Sequence, residues 1–307
     1  MKFRFHNFAE LREILSSEKI APPDYALKRE SFITGNSGEA VVVELDRRIE
    51  VTRQALVKGL RMPQRSRSGL TRGAAAAFAG AKRVLVRDGL FRRAAAYALA
   101  INEVNACGGR IVSFPTAGSS GIVPGAIWAW WDLRRGGIRD GEGPEIGEIE
   151  PWAPPYDQNL RAAFLVASLA GILIAQEATL AGSEGGCQAE CGAAGAMAAC
   201  ALSWLEGLSL DQCFSAAALS LKNSLGLACD PVAGLVEVPC VKRNAFVAVN
   251  ALMAVDLTLS GVESVIPFDE VVWAMKQIGN ALPVIIKENS TGGLAMTPTG
   301  LSFKSNT

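Results

Sequence analysis

Cysteine is the residue type in this sequence that points most directly to chemistry, because a thiolate binds metal ions and reacts as a nucleophile. The chain of 307 residues has seven cysteines. Three lie in or beside apolar helical patterns and are expected to be core residues: Cys107, Cys200 and Cys213. The other four lie at glycine- or proline-bearing turns or at the start of an alanine-rich segment: Cys187, Cys191, Cys229 and Cys240. This second group is the candidate site.

Two kinds of metal site suit these four thiols. No CxxC motif occurs, so the spacing of ferredoxin-type clusters and of zinc ribbons is missing. A zinc ion bound by all four thiolates would be structural. An iron-sulfur cluster bound by three thiolates would leave one iron without a protein ligand, and that iron could act as a Lewis acid on a substrate oxygen. The single histidine, His6, argues against a His-rich metal site and against a Ser-His-Asp triad.

Two polar loops rich in small residues are candidates for binding a small ligand. Residues 115–125, PTAGSSGIVPG, combine hydroxyl groups with a backbone that could present N–H groups to a carboxylate. Residues 287–293, KENSTGG, repeat this chemistry near the C-terminus. Neither loop is a P-loop, because no GK[ST] closes it. An ordinary turn between a strand and a helix is the alternative interpretation of the first loop.

Two lysines near the cysteines are candidates for a general base. Lys222 is followed by Asn223, and Lys242 is followed by Arg243 and Asn244. A lysine could act as a base if burial or a neighbouring positive site lowered its pKa. A solvated surface lysine is the more common case.

The charges balance overall but are unevenly distributed. Thirty Lys and Arg residues match thirty Asp and Glu residues, so nothing attracts the whole chain to nucleic acid or to an anionic membrane. Residues 47–93 hold thirteen cations and two acids, which predicts either solvated helix faces or a docking face for an acidic partner. Residues 136–157 are acidic and then proline-rich, which predicts a surface excursion.

The hydrophobic periodicity predicts a mainly α fold, with a single helical domain and glycine-rich connecting loops. Two segments, 40–45 and 110–114, read as possible strands. Ser209 and Gln212 fit a capping box, and Pro267 and Asp269 mark another helix start. The predicted helices cover residues 46–58, 91–104, 159–181, 193–205, 210–225, 244–259 and 269–278.

The apolar segments predict a cytoplasmic protein with reduced thiols. The N-terminal residues carry scattered charges and no uninterrupted apolar stretch, so no secretory signal is expected. The longest uncharged apolar run covers residues 164–175, shorter than the roughly 20 residues that span a bilayer. We therefore expect a buried core helix there and no membrane partner.

Four strings give the chain a resemblance to a known family. They are INEVNACGGRIVSFPTAGSSGIVPG (101–125), GSEGGCQAECGAAGAMAA (182–199), LKNSLGLACDPVAGLVEVPCVKRNA (221–245) and KENSTGGLAMTPTG (287–300). The chain resembles the α subunit of bacterial iron-sulfur L-serine dehydratase, also called L-serine ammonia-lyase, from about residue 40 to residue 300. The resemblance implies an N-terminal extension at 1–40 and a helical catalytic domain at 41–307.

The resemblance also implies a cofactor and a reaction. By motif, a 4Fe-4S cluster would be held by Cys187, Cys229 and Cys240, whereas Cys191 does not match a ligand position. The open iron would assist departure of the 3-hydroxyl of L-serine while a base removes the α-proton, and the product would become pyruvate and ammonia. Lys222 and Lys242 are the candidates for base or charge stabiliser. The candidate substrate-binding residues are Thr116, Gly118, Ser119, Ser120, Asn223, Ser290, Thr291 and Gly292.

The same resemblance shows one loop that differs from the family pattern and implies partner subunits. The family usually has GLTGGDA where this chain reads GLTRGAA at residues 69–75, so Arg72 and Ala74 are changed positions. The two-subunit form implies a separate β chain in a hetero- or homo-oligomer, and the basic stretch is a possible dock for it. A relative that acts on threonine or cysteine, or a non-catalytic paralogue, is the alternative.

Overall fold

Helices dominate the chain in this computed structural model, which describes residues 3–86, 88–135 and 156–304. Short 3-10 turns connect several of them, and a π-helical turn at Gln188–Gly192 precedes α9. The α-helices of the described residues are α1 Phe8–Glu18, α2 Pro22–Thr34, α3 Gly38–Arg61, α4 Ala74–Ala79, α5 Gly89–Ala106, α6 Ile122–Arg135, α7 Gln158–Glu177, α8 Gly182–Gly185, α9 Ala193–Leu205, α10 Leu210–Lys222, α11 Cys240–Leu259, α12 Phe268–Ala281 and α13 Pro298–Lys304.

The mainly α prediction is confirmed, and each of the predicted helices overlaps an observed one. The capping box before α10 is present, since Ser209 accepts from the Gln212 backbone and Gln212 reaches back to Ser209. Several bounds differ from the prediction. Helix α3 begins at Gly38, eight residues early, α7 ends at Glu177, four residues early, and α10 ends at Lys222, three residues early. Helix α11 begins at Cys240, four residues early, and this difference matters because it puts a candidate ligand on a helix.

Both predicted strands are wrong. Residues 40–45 belong to α3, whose N-cap Ser37 accepts a hydrogen bond from the backbone N–H of Ala40. Val41 and Ile49 are buried while Val43 is exposed, so the burial follows a helical face and the valines do not make a strand. Residues 110–114 form no ladder, since the part of the chain that the structure describes offers no strand to pair with them. Most of the predicted acidic excursion, residues 136–155, lies outside the described residues.

Helix α9 lies at the centre of the bundle and is packed by α6, α7, α10 and α11. Its sequence AAGAMAACALS is buried from end to end, because small side chains let neighbouring helices approach closely. A Cβ added to Gly195 would lie 2.8 Å from the Cγ1 atom of Val247 on α11. The start of α9 is therefore fixed in the core, and it directly follows the π-helical turn and the first two candidate cysteines.

Helix α7 is long and apolar enough to cross a membrane by length and composition alone. It nevertheless packs against α9, and residues such as Phe164, Leu169 and Ile174 are buried in the shared core. This burial is typical of a core helix, as the sequence predicts for residues 164–175.

The first two helices pack on the same core. Leu11 and Ile14 of α1 are buried, the ring of Phe8 stacks on Phe214 at 4.1 Å, and the Phe8 backbone donates to Asp269 at 2.8 Å. The domain boundary at residue 40 stays a prediction.

A buried ion pair joins α3 to α6. Arg53 Nη1 donates to Asp132 Oδ2 at 2.8 Å, and the Tyr97 hydroxyl donates to the same oxygen at 2.8 Å. The Arg53 guanidinium also lies 4.7 Å from the centre of the Trp128 ring. Part of the basic stretch therefore lies inside the bundle and does not form a docking face.

Replacing Asp132 with Ala should lower the free energy of unfolding by about 3 kcal/mol or more, because the buried Arg53 charge loses its carboxylate. Urea unfolding followed by circular dichroism measures this difference. The matched control is Asp211→Ala, whose exposed ion pair with Arg12 should contribute less than about 1 kcal/mol. Equal losses in the two variants would contradict the assignment.

Candidate active site

Three candidate ligands come together from three separate elements. Cys187 follows α8, Cys229 lies in the connection after α10, and Cys240 is the first residue of α11. All three are buried, and the charge of Cys187 acts on both of the others. These three residues, far apart in sequence, therefore lie near enough in space for their charges to interact.

Backbone hydrogen bonds fix the positions of two of these cysteines. The Cys187 N–H donates to the carbonyl of Leu227 at 2.8 Å, and the Cys229 N–H donates to the carbonyl of Ile286 at 2.9 Å. Gly186 makes the first of these possible. It has a φ of +74°, and a Cβ there would lie 2.7 Å from the Leu227 oxygen.

The thiol of Cys187 ionises more easily than its neighbours. A hydrogen bond from Cys191, helped by the charge of Arg243, outweighs burial and lowers the pKa of Cys187 to about 7. Cys191 is completely buried, and its pKa is raised by the hydrogen bond to Cys187 and by burial. The thiols of Cys187 and Cys191 are thus hydrogen-bonded to each other.

The donors fit a thiolate-bound metal. Burial raises the pKa of Cys229, and it raises the pKa of Cys240 to about 12, with the charges of Cys187 and Glu190 adding to both effects. Several thiolates packed into one buried place repel one another unless a cation joins them. A soft metal centre provides that positive charge and prefers sulfur ligands.

Glu190 is a site residue that the sequence reasoning missed. It lies buried in the π-helical turn, where its Oε1 atom accepts from the Thr116 hydroxyl at 2.7 Å and its Oε2 atom lies 3.7 Å from Cys229 Sγ. Burial raises its pKa. Glu190, Cys229 and the exposed Glu288 offer ligand atoms that all lie within 4.8 Å of one another. Glu190 therefore joins the cysteines to the first polar loop.

The first polar loop is held by two buried asparagines. Asn102 Nδ2 donates to the carbonyls of Ala117 and Gly118 at 3.1 Å and to Ser120 Oγ at 3.2 Å. Asn244 Nδ2 donates to the Gly118 carbonyl at 2.7 Å. Sequence reasoning placed both asparagines inside family-like strings but gave them no role in holding this loop.

Asn244 also binds the ligand-bearing helix to the loop. Its Nδ2 atom donates to the Cys240 carbonyl at 2.9 Å, and its Oδ1 atom accepts from the Gly121 N–H at 2.9 Å. A single buried amide thus sets the distance between a candidate metal ligand and the candidate substrate loop.

Two hydroxyl groups of the first polar loop already donate hydrogen bonds to other groups of the protein. Ser119 Oγ donates to the carbonyl of Phe114 at 2.9 Å, and the Thr116 hydroxyl donates to Glu190. Thr116, Ser119 and Ser120 therefore shape the loop beside the cysteines, and the backbone of Gly118 is fixed by both asparagines.

The second polar loop is fastened to the segment around Cys229. Ser290 Oγ donates to the carbonyl of Pro231 at 2.7 Å, and Asp230 Oδ2 accepts from the Leu294 N–H at 2.7 Å. A Cβ on Gly292 would lie 2.6 Å from the Ile285 carbonyl oxygen. Thr291 is exposed and donates to Asn289. The structure therefore brings this loop to the site, with Ser290 facing inward.

The two candidate lysines, Lys222 and Lys242, lie at two different places in the fold. Lys222 ends α10 and is half-buried, and the exposed Asn223 donates its side chain to the Leu219 carbonyl at 2.9 Å. Lys242 is exposed, and its side chain lines an apolar groove between α5 and α11. Arg243, the next residue, is the cation that hydrogen-bonds Cys187.

Two buried carboxylates hold the loop that departs from the family pattern. Glu237 accepts from the hydroxyls of Ser68 and Thr71, both at 2.6 Å. Glu103 accepts from the backbone N–H of Ala74 at 2.6 Å at the start of α4. Arg72 lies on the exposed side, where its Nε atom donates to the Gly69 carbonyl at 2.7 Å.

Arg72→Gly should therefore leave the turnover rate within about twofold of wild type, because this side chain contacts solvent and its own turn. Steady-state rates measured side by side test this. The matched variant is Thr71→Val, which removes a buried hydroxyl bound to Glu237 and should lower the rate more than Arg72→Gly does. A sharp gain of activity in Arg72→Gly would show that the arginine weakens the site.

Comparison with known proteins gives a consistent result. The family model described as serine dehydratase alpha chain matches residues 17–295. The probable L-serine dehydratase alpha chain of Bacillus subtilis is 40% identical over 96% of this chain and 93% of its own length. The L-serine dehydratase alpha chain of Peptoniphilus asaccharolyticus is 37% identical over 96% of this chain and 95% of its own.

A longer relative matches in part. L-serine dehydratase 2 of Escherichia coli is 40% identical over 65% of this chain and 40% of its own length. The resemblance carried by the four strings is confirmed by these matches. This chain belongs to the serine dehydratase alpha chain family.

Proposed function

We propose that this chain is the catalytic α chain of a cytoplasmic L-serine dehydratase, which converts L-serine to pyruvate and ammonia. The names of the relatives that match nearly the whole chain support the reaction. The observation that carries the proposal is the meeting of buried thiols with a polar loop through Glu190, which contacts both Thr116 and Cys229.

A 4Fe-4S cluster on Cys187, Cys229 and Cys240 is the cofactor in this proposal. Such a cluster, when bound, supplies Lewis acidity at an iron that has no protein ligand. The protein contributes buried sulfur donors, and the hydrogen bond from Cys191 together with the charge of Arg243 lowers the pKa of Cys187. The fourth thiol, Cys191, stays a hydrogen-bond donor to Cys187.

The substrate carboxylate is assigned to the loop at Thr116, Gly118, Ser119 and Ser120. The loop leads into α6, and the N-terminal end of a helix favours an anion. Asn102 and Asn244 hold the loop rigid, so its N–H groups need little rearrangement when serine binds. Ser290, Thr291 and Gly292 border the site from the second polar loop.

Proton transfer is assigned to Glu190 on the basis of its position. It is the buried carboxylate that contacts the carboxylate-binding loop, and Thr116 orients one of its oxygens. Lys222 and Lys242 are not used as the base, since one ends α10 and the other lines the α5–α11 groove.

The proposal includes a separate β chain, because the relatives that cover the whole sequence are named as alpha chains. A relative that acts on threonine or cysteine is the second candidate function. A non-catalytic paralogue is disfavoured, because the three proposed ligands and the buried Glu190 are all present.

The test is an anaerobic preparation, with the candidate β chain where it co-purifies, assayed on L-serine, D-serine, L-threonine and L-cysteine. We expect pyruvate and ammonia in equal amounts from L-serine and a much lower rate with the other three. A higher rate with L-threonine or L-cysteine than with L-serine would mean that this other amino acid, and not L-serine, is the substrate. Absence of any elimination in an iron-loaded preparation would contradict the proposed activity.

A further inference from the structure

Helix α11 presents an exposed stripe on the side away from the cysteines. The stripe consists of four exposed residues, Lys242, Phe246, Met253 and Asp256, and the half-buried Val249 at its centre. They are spaced alternately four and three residues apart, so these side chains share one helical face. We call them the α11 stripe. Phe246 is 77% exposed and Met253 is 49% exposed. Large apolar side chains aligned in this way mark an interaction surface more often than isolated ones do.

An apolar groove runs beside the first half of the stripe. It has a volume of about 380 Å³ and lies between α11, α5 and the segment around α4. Phe246 and Val249 form one wall, and Phe78, Val86 and Phe91 contribute to the other. A protruding apolar side chain and an apolar recess therefore lie next to each other on one face.

Opposite charges mark the two ends of the stripe. Lys242 is exposed at the N-terminal end, and Asp256 is exposed at the C-terminal end. Asp88 and Glu206 are near enough to Asp256 for their charges to act on it, so this end is acidic. The acidic end would be stabilised by a cation from a partner.

We propose that a second copy of this chain docks on the α11 stripe, with the two α11 helices antiparallel about a twofold axis near Val249. Lys242 and Asp256 each lie seven residues from Val249. An antiparallel crossing at Val249 therefore brings each Lys242 level with Asp256 of the second copy. The same register brings Met253 of one copy beside Ala245 and Phe246 of the other, at the groove.

A second copy suits this face because a twofold contact requires that the surface complement itself. The charges of the stripe meet that requirement, because the twofold rotation places the basic end of one copy against the acidic end of the other. Its shape meets it too, because the face carries both a protruding side chain and an apolar recess. Antiparallel helices also place opposite ends of their dipoles side by side. This inference is independent of the reaction proposed above.

The association constant of the purified chain, measured by sedimentation velocity over a range of concentrations, tests the inference. We expect a dimer, and we expect Phe246→Asp and Met253→Glu each to weaken association by about tenfold or more. The matched control is Trp273→Asp, which changes an aromatic side chain 63% exposed on α12 and should leave association unchanged. A wild-type chain that stays monomeric at all concentrations would overturn the inference.

A charge exchange makes the test specific to this register. Lys242→Asp and Asp256→Lys should each weaken association by about three- to tenfold, because each places like charges opposite one another twice per dimer. The double variant restores both pairs and should associate within about twofold of wild type. Failure of the double variant to recover, while circular dichroism shows it folded, would overturn the antiparallel pairing. Binding of a β chain on this stripe in place of a second copy would overturn it too.

Discussion

Serine in place of Cys187, Cys229 or Cys240 is expected to give a folded protein that binds little iron and retains less than about 1% of the rate of pyruvate formation. The serine hydroxyl stays protonated where a thiol can ionise, and its oxygen is a poor ligand for iron in a sulfur-bound cluster. Iron analysis of anaerobically prepared protein, with circular dichroism as the check of folding, measures the effect for each variant.

Two other buried cysteines are the controls. Cys191→Ala removes a thiol that donates to Cys187, and Cys200→Ala removes a thiol that pairs with Cys213 in the core. Both variants should keep their iron. Loss of metal in Cys191→Ala, with metal retained in Cys200→Ala, would favour a four-thiolate site and contradict the three-cysteine ligand set.

Replacing Asn244 with Leu should lower the turnover rate by about 100-fold, because small displacements of a positioned loop have large effects on rate. The leucine removes the bonds to Gly118, Cys240 and Gly121. Buried polar groups that lose their partners should also lower the free energy of unfolding by about 2 kcal/mol or more. Rate measurements and urea unfolding on the same preparations give the two quantities.

Asn250→Leu separates the effect on rate from the effect on stability. Asn250 lies on the same helix and donates to the backbone carbonyl of Ser220 at 2.9 Å, away from the loop. This variant should lose stability while its turnover rate stays within about threefold of wild type. If both asparagine variants lost activity to the same extent, Asn244 would have only a general structural role.

The helices could be predicted from sequence where one face of the helix, or the whole helix, is buried. Helix α9 was predicted with its observed bounds, because its small residues form an uninterrupted apolar run after glycine. The valine-rich start of α3 was not, because β-branched residues favour strands when only local sequence is considered. The helix forms there because Ser37 caps it and Val41 and Ile49 share a buried face.

The cysteines and both polar loops could be found from motifs, whereas the side chains that hold them together could not. Glu190 and Thr116 are 74 residues apart in sequence, and Asn244 and Gly121 are 123 apart. No local spacing reports such contacts. Only the tertiary structure brings these residues within hydrogen-bond distance.

Helical geometry explains why Lys242 lies away from the cysteines although it is near Cys240 in sequence. Each residue of a helix turns by about 100°, so Lys242 points about 200° away from Cys240. Arg243 and Asn244 complete the turn and flank Cys240 on its own side. They are the residues that contact Cys187 and the Gly118 loop. A search for basic residues on the turn of Cys240 would have selected Arg243.

Reconstitution measured by iron, sulfide and rate together tests the central claim most directly. The protein would be stripped of metal, rebuilt anaerobically with graded ferrous iron and sulfide, and assayed on L-serine at each loading. We expect pyruvate formation to rise in proportion to bound iron and sulfide, up to about four of each per chain. Full turnover in metal-free protein, or restoration of the rate by zinc alone, would contradict the claim that an iron-sulfur cluster on Cys187, Cys229 and Cys240 supports this reaction.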